Sequence, residues 1–164
     1  MKPIKSTIIL VLYFTLSSCV SVSLPSSSGW KSSAVELQAP SKPFELMDNK
    51  NADKAWISQK NGNTISYLSD CGSPLDPPLQ QIESDTLNFL ENLKIISSES
   101  RVFNGRESLE TWAQGNIDGV AVKMRVLTFK KNNCSYSLVY GGVKDKFNSE
   151  LGAFDQFLKG FKAP

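Results

Sequence analysis

The chain has 164 residues, with 18 lysines and arginines against 16 aspartates and glutamates, and no histidine. The missing histidine rules out a Ser-His-Asp triad, a Cys-His pair and any histidine-ligated zinc or iron site. So even a charge balance leaves no electrostatic footprint for nucleic acid.

Residues 1–18 carry Lys2 and Lys5, the apolar run Ile8–Leu16, and small Ser17 and Ser18. A basic start, a short apolar core and small residues at the end make a secretory signal peptide. The apolar run falls well short of the roughly 18 residues that span a bilayer as a helix. Leu16-Ser17-Ser18-Cys19 resembles a bacterial lipobox. That resemblance implies cleavage between Ser18 and Cys19, acylation of Cys19, and a membrane lipid as the protein's first partner. Cleavage removes Lys2 and Lys5 and no acid, so the mature chain is close to neutral. The implied address is the cell envelope. Val20 is not the Asp that commonly retains lipoproteins in the inner membrane, so the periplasmic face of the outer membrane is expected in a Gram-negative host.

The cysteine count is three. Once Cys19 is acylated, Cys71 and Cys134 remain as one pair. An oxidising envelope lets them bridge, although two unpaired buried thiols would satisfy the sequence as well.

Residues 19–43 are rich in Ser and Pro and read as a tether carrying the lipidated cysteine. Trp30 interrupts it and is free to sit at the membrane interface or to dock on the domain. A short strand at Val35–Leu37 is possible. A single domain is expected over residues 44–164. Phe44 and Leu46 alternate with polar neighbours as in a strand. Asp48-Asn49-Lys50-Asn51-Ala52-Asp53 is superficially like a calcium loop, but Lys50 and Ala52 stand where oxygen ligands are needed, and the glycine is missing. A solvated turn is the better reading. Lys54–Lys60 and Thr64–Leu68 form a hairpin about Asn61-Gly62, which predicts a type I′ turn.

Asp76 before Pro77-Pro78 predicts a capped helix start, with helical spacing of apolar residues up to about Leu93. From Lys94 to Tyr140 the period returns to two. Strands are expected at Ile95–Phe103, Leu109–Ala113, Val120–Phe129 and Cys134–Tyr140, broken by Asn104-Gly105, Gly115-Asn116, Asp118-Gly119 and Asn132-Asn133. Phe147, Leu151, Phe154, Leu158 and Phe161 then mark one stripe of a last helix over Asp145–Lys162, widened by Phe157.

The fold class is therefore α+β: an antiparallel sheet of about five to six strands packed with an internal and a C-terminal helix. Trp56, Asn61-Gly62 and Ile65, then Asn104-Gly105-Arg106-Glu107, Asn133-Cys134-Ser135-Tyr136 and Phe154…Phe157-Leu158…Phe161-Lys162, together resemble the PsbP-like α/β sandwich over about residues 44–162. That resemblance implies an accessory or protein-binding module, as in an extrinsic photosystem II subunit or a Ran-binding nuclear factor. It carries no functional residue across.

The function expected is a membrane-anchored, non-catalytic accessory lipoprotein that binds an unidentified envelope protein, with no cofactor and no metal. One alternative is carriage of a small ligand or lipid between sheet and helices. Another is a carboxylate-based envelope hydrolase built on Asp70, Asp76, Glu83 and Asp85, which gather near the strand-to-helix junction. Such chemistry needs one carboxyl held protonated beside an ionised one.

Overall fold

A computed structural model describes residues 29–164. The leader, the lipobox and Cys19 lie outside the described residues. The elements are β1 (Phe44–Met47), β2 (Lys54–Ser58), β3 (Thr64–Cys71), α1 (Leu79–Leu87), β4 (Glu91–Phe103), β5 (Arg106–Ile117), β6 (Val120–Lys131), β7 (Cys134–Val143) and α2 (Leu151–Gly160), with a 3-10 turn at Phe147–Glu150. The strands make one antiparallel sheet of seven, in the order β1-β2-β3-β7-β6-β5-β4. Seven strands replace the expected five to six, because every segment read as a strand, the short β1 included, joins the one sheet.

Gly115 was expected to end a strand, yet β5 runs straight through it to Ile117. A Cβ at Gly115 would stand 2.8 Å from the Glu91 carbonyl oxygen and 3.0 Å from the Leu90 Cβ. The residue is glycine because β4 begins against it, not because the chain turns there. The true turns are Asn104-Gly105, Asp118-Gly119 and Asn132-Asn133, each with both residues at positive φ. They are the two-residue connections whose twist matches a hairpin. The β2–β3 connection differs from expectation. Ile57 pairs with Thr64, the Gly62 amide donates to the Ser58 carbonyl, and of Asn61 and Gly62 only Gly62 has positive φ. It is a five-residue loop rather than a type I′ turn.

The period of two sends alternate side chains of every strand to opposite faces. On one face Ile65, Tyr67, Leu127, Phe129, Leu138 and Tyr140 are fully or almost fully buried. They pack against Phe147, Phe154, Phe157 and Phe161 of the C-terminal stretch. The predicted stripe is thus the core-facing side of α2, although regular helix occupies only Leu151–Gly160 of it. Residues 29–43, expected as free tether, close this face. Val35 and Leu37 pack on the core, Glu36 and Lys162 exchange backbone hydrogen bonds, and Trp30 exchanges two with Cys71. The domain therefore includes them, and the possible Val35–Leu37 strand is one isolated bridge at Glu36. Trp30 docks on the domain, with its ring over Gly72 and still largely exposed.

Charged groups pin α2 to the sheet. Arg125 on β6 donates to Glu110 on β5 and to Asp155 on α2, both at 2.6 Å. Its guanidinium also lies over the rings of Trp112 and Phe154. Burial would lower the Arg125 pKa, but the hydrogen bonds it donates to Asp155 and Glu110 outweigh it and hold the group charged. Glu150 is clasped by Ser58 Oγ and Asn63 Nδ2, at 2.7 and 2.8 Å, so the β2–β3 loop is tied to the start of α2.

Tyr140 is fully buried under this arrangement and donates to the Phe147 carbonyl at 2.6 Å. Burial, then the charge of Glu150, pushes its pKa up to about 12. A phenol of about pKa 10 in the unfolded chain binds its proton less tightly than this folded one. Stability from Tyr140 is therefore complete below about pH 10 and is lost as pH rises toward 12. Urea unfolding between pH 9 and 11.5 should show this loss, and Tyr140→Phe should reduce it. An unchanged slope in the variant would refute the assignment.

Candidate functional site

The second face of the sheet is only partly covered. α1 packs Leu87 over Ala113, Val126 and Met124, with Leu90 and Val122 beside them. The helix begins at Leu79, not behind an Asp76 cap. Pro78 holds an extended ψ of 158° and makes no side-chain cap. It ends at Leu87, well before the expected Leu93, because Asn92 turns to positive φ and β4 has already begun.

A helix this short leaves the β3–β7 side of the face open. The result is a groove of about 980 Å³ running along these two central strands. Its floor is a series of cross-strand pairs: Thr64 opposite Gly141, Ser66 opposite Val139, Leu68 opposite Ser137, and Asp70 opposite Ser135. The wall on one side is Ile82, Thr86 and Phe89 of α1 and its exit. Thr86 Oγ1 bonds the Ile82 carbonyl at 2.7 Å and Ser137 Oγ at 3.0 Å, fastening helix to floor. Ile117, Val120 and Val143 line the far end. These three, with Leu68 and Phe89, are large apolar side chains left between 38% and 51% exposed. Exposed apolar side chains gathered around one concavity mark a binding surface, whereas scattered ones do not.

Among the described residues Asp70, Asp85 and Asp118 are the charged side chains that line the groove, and Lys130 reaches the Pro77 carbonyl at its Asp70 end. Asp85 takes a hydrogen bond from Gln81.

The four carboxylates named as a possible hydrolytic set do not form one. Glu83 accepts from Thr111 and Ser98, clear of the groove. Asp76 is 88% exposed and held by Lys130 at 2.7 Å. It shares with Asp70 a smaller cleft of about 390 Å³ whose other charged residues are Arg106, Lys130 and Lys131. These carboxylates sit among cations rather than in the apolar surroundings that keep one acid protonated. Among the described residues no group of three metal-ligating side chains comes together. No described helix is long and apolar enough to cross a membrane.

Cys71 and Cys134 face each other directly in the β3–β7 ladder and are joined as a disulfide. The sequence did not disclose the groove. Its floor residues are ordinary alternating strand positions, and a β-rich sequence does not say which strand becomes neighbour to which.

The architecture is that of the PsbP-like sandwich, one antiparallel sheet with a helix on each face. Neither a family model nor a curated protein sequence matches the chain. Among solved structures, LpqN of Mycobacterium tuberculosis, described as involved in cell envelope biogenesis, is similar over 82% of this chain and 84% of its own, with a TM-score of 0.58 and 11% identity. The cyanobacterial PsbP protein CyanoP of Synechocystis sp. PCC 6803 is similar over 91% of this chain and 99% of its own, with a TM-score of 0.56 and 13% identity. At such identities the likeness is one of fold.

Proposed function

We propose that the protein is a lipid-anchored, non-catalytic binding module of the bacterial cell envelope, held to the membrane by acylated Cys19 and presenting the β3–β7 groove to an envelope component. The observation that carries the binding role is the groove itself. It is a mostly apolar concavity with a few hydroxyls on its floor, the usual character of a ligand site. The lipobox-like Leu16-Ser17-Ser18-Cys19 supports the anchor. A fold shared with an envelope-biogenesis protein agrees with the location. The filled, cross-braced opposite face favours a scaffold role for α2, leaving the groove as the working surface. The outer membrane is the proposed site in a Gram-negative host.

The test uses the anchored protein with a photo-crosslinking residue at Phe89 in the groove or, as control, at Val102 on β4. The mature terminus should be acylated Cys19 by mass spectrometry, and Cys19→Ala should abolish membrane retention. Irradiation of native membranes should give a discrete adduct from position 89 and none from 102. An unmodified terminus elsewhere would sink the anchor. Equal labelling from both positions would sink the groove as the binding surface.

A further inference from the structure

The lining of the groove says more about its occupant than that it is apolar. The geometry points to a long-chain aliphatic amphiphile with a cationic head, and against an anionic lipid or detergent of the same length. This rests on the reading of the groove as the binding surface and adds to it the chemistry of what binds.

The first argument is charge. Asp70 stands at the end of β3, Asp118 in the β5–β6 turn and Asp85 on α1, so carboxylates border the apolar floor from three elements. Elsewhere Asp53, Asp76, Glu110 and Asp155 each have a lysine or arginine within 4 Å. Among the described residues Asp70, Asp85 and Asp118 are in no such ion pair, and no lysine or arginine lines the groove beside Asp85 and Asp118. An anionic head brought to the rim at Asp85 or Asp118 would meet like charge, while a cation would find a carboxylate there; Asp70, at the opposite end, also faces Arg106, Lys130 and Lys131 of the smaller cleft.

The second argument is the backbone. β3 is flanked by β2 and β7, and β7 by β3 and β6. β7 is paired on both sides along the floor, and β3 is paired with β7 throughout and with β2 from Thr64 to Tyr67, beyond which Asp53 and Trp30 take the Ser69 and Cys71 amides, so an extended peptide laid in the groove would find little edge to hydrogen-bond. A hydrocarbon chain has no such requirement. Leu68, Val139, Met124 and Phe89 supply its apolar contact. Ser66 and Ser137 on the floor accommodate a polar atom near the head without adding charge.

The experiment uses the whole mature chain with Cys19→Ser in place of the lipid, observed through the methyl resonances of Leu68 and Val139 in the groove and Leu127 in the opposite core. Tetradecyltrimethylammonium and tetradecyl sulfate are titrated below their micellar concentrations. The ammonium amphiphile should shift the groove methyls and leave Leu127 unmoved. It should bind at least tenfold more tightly than the sulfate, a difference of about 1.4 kcal/mol. The preference should shrink in 0.5 M salt, since the carboxylates lie at a solvent-open rim. Asp70→Asn with Asp85→Asn and Asp118→Asn should remove the preference at an unchanged melting temperature. Equal binding of both amphiphiles, or tighter binding of the sulfate, would overturn the charge selection while leaving the groove a binding surface. Groove methyls that respond to neither amphiphile would overturn the proposal. So would a response confined to a helical Leu/Lys peptide, because the occupant would then be a protein helix.

Discussion

Phe161→Ala is expected to destabilise the domain by about 3–5 kcal/mol, the usual loss for a buried aromatic side chain. Phe161 is 2% exposed and lies against rings from four strands and α2. Its ring centroid lies 5.3 Å from Tyr67, 6.2 Å from Tyr136, 6.3 Å from Phe129 and 6.5 Å from Phe103 across the sheet, and 5.9 Å from Phe157 on α2. Several of these pairs are edge-to-face, a geometry that adds to area burial. The backbone around it is held as well. Asn104 in the β4–β5 turn donates to the Phe161 carbonyl and accepts from the Ala163 amide, so the site cannot easily collapse into the space left by truncation. Chemical denaturation measures the loss. A midpoint unchanged in Phe161→Ala would mean that the C-terminal stripe is not the core of this domain. Phe161→Leu, which keeps most of the volume, should lose clearly less.

The second large effect belongs to the Cys71–Cys134 bond. Its residues are 63 apart in sequence, and closing a loop of that length removes about 4 kcal/mol of unfolded-chain freedom in the chain-entropy account. Reduction should therefore lower the melting temperature by on the order of 10 °C. Thiol labelling of denatured, non-reduced mature protein should find no reactive cysteine. Two labelled thiols per chain would show the pair to be reduced in the cell. The native ladder does not depend on the bond for its register, because β3 and β7 pair over eight positions from Thr64–Gly141 to Cys71–Cys134. The loss should appear in stability rather than in the folded structure.

What could be read from the sequence followed from strong local signals. The step of four and three through Phe147, Leu151, Phe154, Leu158 and Phe161 marked the side of α2 that is buried, all of them out of solvent but the half-buried Leu151. The Asn-Gly, Asp-Gly and Asn-Asn pairs marked three hairpins, because few residues tolerate consecutive positive φ. Where a signal had two physical causes, the sequence misled. Gly115 is a close-approach glycine rather than a turn, and Asp76 lies near two prolines yet pairs with Lys130 instead of capping α1. The docked stretch Trp30–Leu37 lacked periodicity because it is held by isolated bridges at Trp30 and Glu36 and by Val35 and Leu37 packed on the core. The groove was least legible of all. It exists because α1 has nine residues and packs chiefly on β5 and β6, touching only the near side of β7, and a helix's length relative to its sheet is a tertiary quantity.

The strand order has one more consequence. Strands β1 to β3 are neighbours in sequence, and so are β4 to β7; only the β3–β7 ladder joins the two groups. The chain leaves the first group through Gly72-Ser73-Pro74-Leu75-Asp76, a stretch with no helix or strand ahead of α1, where Leu75 is 75% exposed. Exposed tips of this kind are where proteases cut. A single cut there severs no hairpin and falls between Cys71 and Cys134, so the two pieces stay covalently joined through sulfur. In an oxidising compartment the backbone is thus dispensable at that one place, and the nicked protein keeps its sheet, its groove and its attachment to whatever precedes residue 29.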